Sequence, residues 1–300
     1  MSFNIVTPIA EQALLEIHYS CQDWIYRYVM KILINYANHV FRESQKLNSL
    51  TGKEVGLFDK VISYSPKDIQ PDFFERNKKI LSQKKGNGYW LWKPYFIKKT
   101  LETLNFGDFL FYCDSGSYFI KPITPLIELS LDTGHDIISF ELPHLERVWT
   151  KRDAFILMDC DSRKYSESKQ RLASFSLWKK SGFTMDFINE NLNYAQDERV
   201  ITNLKNQCGY RNYPGFREHR HDQSIFSLLL KKHDLPVYRD PSQLGNDVKQ
   251  FYPNSNYEQL ISHTRKRSEP FFDKVIRKIQ RIIYCSKGYL DGHLSSSDFR

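Results

Sequence analysis

One short stretch, Gly107-Asp-Phe-Leu-Phe-Tyr-Cys-Asp-Ser-Gly-Ser117, constrains the fold of this chain more than any other. A turn-favouring Gly-Asp pair leads into five apolar or aromatic residues, Phe109 to Cys113. The run stops at Asp114, ahead of three small residues. A continuous apolar run this short, bounded by turn signals, suits a strand buried on both faces of a parallel sheet. Ligands of open α/β sheets gather at the carboxyl ends of such strands. Asp114 therefore either caps the next turn or serves as a metal or diphosphate station, with Ser115, Gly116 and Ser117 letting a ligand approach the backbone.

The flanking sequence supplies a sheet for that strand. A strand is predicted over 29–36, with the polar Asn35 near its end, then helical spacing over 39–50. A second strand over 58–65 is punctuated by Ser65-Pro66. Strand, helix, strand is the opening of a doubly wound α/β fold. Helices are expected over 71–81, from Pro94 through Leu104, from Ile123, over 150–158 and over 183–194, with strands over 135–141 and 172–178. Composition fits a packed core: 41% of the residues are hydrophobic and 15% aromatic. No apolar run approaches the ~18 residues that span a bilayer. Five scattered cysteines without a C-x-x-C pair argue for a reducing compartment and against a disulfide frame or structural zinc. With no signal-peptide pattern at the N-terminus, a cytoplasmic location is expected.

Two passages concentrate chemistry. In Gln83-Lys-Lys-Gly-Asn-Gly-Tyr-Trp-Leu-Trp-Lys-Pro94, Gly86 and Gly88 read as a flexible turn carrying Lys84 and Lys85, next to Trp90, Trp92 and Lys93. Basic residues, backbone N–H groups at a helix start and flat aromatic faces suit an anionic or sugar-nucleotide ligand. Core-anchoring tryptophans and solvated lysines are the plain alternative. In His219-Arg-His-Asp-Gln-Ser224, Asp222 reads as the cap of a helix whose inner face is Ile225, Phe226, Leu228 and Leu229. That holds His221, Asp222 and Gln223 at the start of a rigid element, a sound place for chemistry. Thr150-Lys-Arg-Asp153 has capping-box character, yet Lys151 and Arg152 oppose the helix dipole there; a bound anion or solvent would compensate.

The net charge of +8 is concentrated near the C-terminus. Between Ser262 and Lys287 lie Arg265, Lys266, Arg267, Lys274, Arg277, Lys278, Arg281 and Lys287, against only Glu269 and Asp273. Phe272, Val275, Ile276, Ile279, Ile282 and Ile283 recur there at helical spacing. Such a basic amphipathic helix either lies on an anionic membrane surface or packs on the domain. The chain thus divides into an N-terminal extension over 1–28, one domain over 29–262 and a basic segment over 263–300.

Taken in order, the strand ending at Asn35, Gly88-Tyr-Trp-Leu-Trp-Lys-Pro94, Tyr112-Cys-Asp-Ser-Gly116, Trp149-Thr-Lys-Arg-Asp153, Gln170 with Ala173-Ser-Phe175, and His219-Arg-His-Asp-Gln-Ser224 carry a resemblance. Over roughly 29–267 the chain resembles a group of bacterial polysaccharide-biosynthesis proteins similar to nucleotide-sugar glycosyltransferases of the GT-A fold. The resemblance implies a mainly parallel mixed sheet flanked by helices. It also implies transfer of a sugar from a UDP- or GDP-sugar to a surface polysaccharide or lipid-linked glycan, peripherally at the inner membrane face. In glycogenin-like and galactosyltransferase-like relatives an Asp-x-Asp holds Mn²⁺ or Mg²⁺ on the donor diphosphate. Here Asp114 matches the first acid, Gly116 stands at the second, and His263 matches an additional ligand. Asp222-Gln223 is similar to the pair near the acceptor and the reacting carbon. Charge on the departing diphosphate must be met by metal or by cations, for which Lys84, Lys85, Lys93, Lys151, Arg152 and Arg265 are the candidates. Asp222 or His221 could serve as base for inversion; Asp222 or Gln223 could stabilise an oxocarbenium if configuration is retained. Two other classes are compatible with the residues: a glycoside hydrolase using Asp114 with Asp222, and a nucleic-acid binder using the basic segment and Trp90 and Trp92.

Overall fold

The structure, a computed structural model, describes residues 29–246 and 252–263. The expectations for 1–28, for Arg265 and for the rest of the basic segment lie outside these residues. Strand β1 (Lys31–Tyr36) alternates strictly: Ile32, Ile34 and Tyr36 enter one core, while Leu33 enters the other. Helix α1 (Arg42–Glu54) returns the chain to strand β2 (Lys60–Tyr64). The helix expected over 71–81 is two, α2 (Pro71–Arg76) and α3 (Lys78–Leu81). Asn77 breaks it with φ −113° and ψ 20°, its amide donating to the Phe73 carbonyl.

Helix α4 (Trp92–Leu101) leads to β3 (Phe109–Cys113), in which every residue is buried, as the apolar run requires. A short β4 (Ser117–Phe119) and α5 (Thr124–Thr133) follow. The strand expected over 135–141 splits into β5 (Ile137–Ile138) and β6 (Glu141–Leu145). Three short helices come next: α6 (Glu146–Trp149), α7 (Arg152–Leu157) and α8 (Arg163–Ser166). Strand β7 (Lys169–Arg171) pairs with β6, and β8 (Phe175–Lys179) re-enters the main sheet. The chain continues through α9 (Gly182–Ala195), α10 (Glu198–Ile201), α11 (Asp222–Lys232), a short α12 (Gln243–Asn246) and β9 (Ile261–His263).

The central sheet runs β2-β1-β3-β8-β5. β1 is parallel to β2 and β3, β8 is antiparallel to β3, and β5 is antiparallel to β8. Four strands therefore share one direction and β8 alone opposes them: a mixed, mainly parallel α/β sheet, as expected. Its order reverses between β1 and β3, the topological switch point where such sheets open a crevice. Side chains of α4, α9 and α11 fill one core; α5, Phe119 and Tyr238 cover the other. β9 pairs with β4 and so closes the chain beside the end of β3. Among the described residues no helix is long and apolar enough to cross a membrane.

Candidate active site

Outside the carboxyl ends of β1 and β3 the chain leaves a cleft of about 730 Å³, within the size range of small-molecule sites. Four separated passages form its walls: Tyr36 to Phe41, Lys84 to Lys93, Asp114 to Ser117 and Glu218 to Gln223. The buried strand, the twin-tryptophan loop and the double-histidine helix start thus open into one space.

Asp114 and Tyr112 lie on the same face of the chain, two residues apart, and the Tyr112 hydroxyl hydrogen-bonds the Asp114 carboxylate. Ser115 donates to the Tyr36 carbonyl at 2.7 Å, tying this loop to the end of β1. Lys93, in the first turn of α4, reaches across. Its Nζ is 2.6 Å from Asp222 and 3.6 Å from Asp114, and it donates to the Ala173 carbonyl at 3.0 Å. Burial opposes the ammonium charge, but the Asp114 and Asp222 carboxylates outweigh it and hold Lys93 protonated. The same burial pushes the Asp222 carboxyl up to about 6, with Lys93 pulling the other way. A carboxyl poised there is mostly ionised near neutrality and still basic enough to take a proton.

The His221 backbone has φ 53° and ψ −118°, strained for a residue with a Cβ, and occupies the N-cap position. Asp222 is therefore the first helical residue rather than the cap, where its charge suits the helix dipole. His221 donates from Nδ1 to the Ile201 carbonyl at 2.7 Å, while its buried Nε2 has no partner. Burial pushes the ring down to about 4, so it stays neutral with a lone pair on Nε2. Trp90 stacks on it at 5.6 Å and 19°. His219 is also buried and neutral, its Nε2 against the Val200 carbonyl at 2.7 Å.

The loop expected to be a flexible glycine turn is an ordered turn wound the wrong way. Gly86, Asn87, Gly88, Tyr89 and Trp90 all have positive φ, from 52° to 96°. Each non-glycine residue there costs about 1–2 kcal/mol. Backbone bonds from Gly88 N to the Gln83 carbonyl (2.8 Å) and from Tyr89 N to the Lys85 carbonyl (2.8 Å) hold it. So does the Trp92 indole, which donates to the Gly86 carbonyl at 2.9 Å and stacks on Tyr36 at 3.8 Å. Trp92 is thus the anchor and Trp90 the presented ring. Lys84 and Lys85 stand exposed at the rim.

Gln223 donates to Gln170 at 2.8 Å and accepts from the Ala173 amide at 3.4 Å, so both ends of its amide are engaged. Behind it Gln170 donates to Glu146, which is paired with Lys231 at 2.5 Å in a fully buried network with Thr150 and Ser224.

Three expected donor-binding residues do not reach the cleft. Asn35 sits on the opposite face of β1 from Tyr36, and its amide is consumed by Asn48 (2.7 Å), Ser49 (2.9 Å) and Gln45 (3.0 Å) of α1. Lys151 is buried, its Nζ donating to the Leu204 carbonyl at 2.9 Å. Arg152 pairs with Asp161 at 2.6 Å and covers Tyr213 at 3.8 Å. Carbonyls and a carboxylate compensate these two cations. The Thr150 hydroxyl bonds Glu146 and Ser224 rather than capping α7. Conversely, Tyr36, Asn38, Asn87 and Glu218 line the cleft without having been singled out, while His219 and Arg220, read only as part of the polar run before the helix, line it as well. Arg220, stacked 4.2 Å over Trp149, was legible as part of the His-Arg-His run; Tyr36 and Asn38 carried no signal.

The resemblance assigns a divalent metal to Asp114 and His263. Both line the cleft, but His263 Nδ1 is engaged with the Ser117 hydroxyl at 2.9 Å, and Asp114 is shared between Tyr112 and Lys93. Among the described residues no three His, Cys, Asp or Glu side chains come together as a metal site. The donor set does not fit a preformed metal site.

No protein-family model matches the sequence, and no curated protein matches it. Solved structures similar in outline include mouse xyloside xylosyltransferase 1 in its apo form, at 11% identity and TM-score 0.44 over 79% of this chain and 97% of that one. The apo WbbM bifunctional glycosyltransferase is 8% identical at TM-score 0.44, and this chain covers 46% of it. A glycosyltransferase involved in glycosylation of the major capsid of PBCV-1 is 13% identical at TM-score 0.39, with 94% of it covered.

Proposed function

We propose that the protein is a glycosyltransferase that moves a sugar from a nucleoside-diphosphate donor to a glycan or lipid-linked hydroxyl. The observation that carries this reading is the convergence of Asp222, Lys93 and Asp114 on the floor of a cleft whose rim bears Lys84, Lys85 and Arg220. The acceptor hydroxyl gives its proton to Asp222 as its oxygen bonds the anomeric carbon. The bond from that carbon to the diphosphate breaks at the same time, with inversion. Negative charge then passes to the leaving nucleoside diphosphate, where cations stabilise it. His221 Nε2, an acceptor with no proton to give, suits a sugar hydroxyl. Trp90 beside it offers a flat face to the ring's C–H groups.

A thermal-shift screen of UDP, GDP and other nucleoside diphosphates tests the reading. Selective stabilisation by one of them is the expected result. Absence of any response, with hydrolysis of aryl glycosides, would instead make Asp114 and Asp222 the acids of a glycosidase. Binding to oligonucleotides that weakens steeply with salt would mark a nucleic-acid binder.

A further inference from the structure

We infer that Lys93 is the resident cation of this site, standing where sugar-diphosphate chemistry otherwise recruits a divalent ion, and that the cleft takes its nucleoside diphosphate without metal. The inference rests on the transfer reading for its ligand but not for its geometry. Lys93 is buried between two carboxylates, Asp222 at 2.6 Å and Asp114 at 3.6 Å. Of its three N–H donors, the Ala173 carbonyl takes one by hydrogen bond, and Asp222 faces the ammonium as a close ion pair at 2.6 Å. On the Asp114 side the ammonium faces a carboxylate 3.6 Å away, beyond hydrogen-bond range. A diphosphate oxygen entering beside Asp114 meets an ammonium N–H that no hydrogen bond takes on that side.

Two further features make the ammonium a fixture rather than a surface charge. It sits 5.0 Å from the centre of the Tyr112 ring, whose hydroxyl in turn holds Asp114. Its backbone lies in the first turn of α4, anchored by the Trp92–Tyr36 stack directly before it. A divalent ion bound to Asp114 would have to share that carboxylate with a buried like charge a few ångströms away, which is unfavourable. The same packing explains Gly116: with an ammonium already held by Asp114 and Asp222, a second acid in the loop has no cation to complete. Asp114 is then a positioning residue for Lys93 and Tyr112 rather than a metal ligand.

The test combines nucleotide binding with uptake of Mn²⁺, followed by the electron paramagnetic resonance of the free ion. For the wild type, UDP or GDP should bind equally, within about twofold, in EDTA and in Mn²⁺, with no stoichiometric Mn²⁺ uptake. Loss of binding in EDTA, or one Mn²⁺ taken up per chain, would overturn the inference. Lys93→Met leaves two carboxylates facing each other. It should bind nucleotide at least tenfold more weakly in EDTA and should acquire Mn²⁺ uptake. Unchanged metal-free binding by this variant would equally overturn it. If Lys93→Met does not fold, Lys93→Arg keeps the charge and should retain metal-free binding; a requirement for Mn²⁺ in that variant counts against the inference. If no nucleoside diphosphate binds the wild type under either condition, the transfer reading falls by itself. Mn²⁺ alone then decides the present point: uptake by Lys93→Met and not by the wild type supports it, and any other pattern overturns it.

Discussion

The chemistry of the cleft turns on two adjacent side chains that burial drives in opposite directions. Asp222 is pushed up to about 6 and His221 down to about 4, so at neutrality the first is charged and the second is not. If Asp222 is the base, turnover should rise with pH through about 6 and then level off. Asp222→Asn should lower kcat by roughly 10²–10⁴-fold, the range for general-base catalysis, with little change in melting temperature. Wild-type turnover in that variant would remove Asp222 from the mechanism. Stability should carry the same signature. Between pH 4 and 6 the unfolded chain protonates both His219 and His221, whereas the folded chain protonates neither. In that window the folded chain instead retains one proton on Asp222 that the unfolded chain has lost. The unfolded state then holds one more proton, so these three groups make the protein more stable as pH rises through this window. Denaturant melts across that range check the slope. In His221→Phe, which removes one histidine, the slope should fall towards zero.

The elements show which features were legible beforehand. β3 declared itself, because five apolar residues ending in an acid have few other uses, and α11 followed from its apolar face. The backbone handedness of Gly86 to Trp90 was not legible. Two glycines signal permissiveness, but only the packing of Trp92 on Tyr36 and its bond to Gly86 fix a turn with Asn87, Tyr89 and Trp90 at positive φ. Asn35 misled for a related reason: strand alternation decides which face a residue serves, and its position one residue before Tyr36 turned it towards α1. Likewise the cationic pair Lys151-Arg152 looked unsatisfied in sequence, since its partners come from Leu204 and Asp161. Gly88→Ala should therefore be costly. Its Cβ would lie 2.8 Å from the Leu81 Cα, at a backbone φ of 96°. A loss of about 1–3 kcal/mol is expected from the backbone conformation alone, together with weakened nucleotide binding as Trp90 is displaced. A melting temperature equal to that of the wild type would mean that the turn has another conformation.

At the scale of the whole molecule, what matters is where the chain leaves the described fold. β9 ends at His263 in the cleft wall, paired through Ser117 with the loop that carries Asp114. Arg265, Lys266 and Arg267 follow within four residues. Such a basic segment would hold the cleft against an anionic surface carrying a lipid-linked acceptor. Cutting the chain after Ser268 should then lower sedimentation with vesicles containing phosphatidylserine, and the residual binding should be less sensitive to salt. Nucleotide affinity should be unchanged, since β9 and the cleft wall are left in place. Cutting before Ile261 should behave differently, because it removes the partner of β4 and with it the support behind Asp114, so nucleotide stabilisation should be lost too. An unchanged vesicle profile in the first truncation would leave the basic segment without a membrane role.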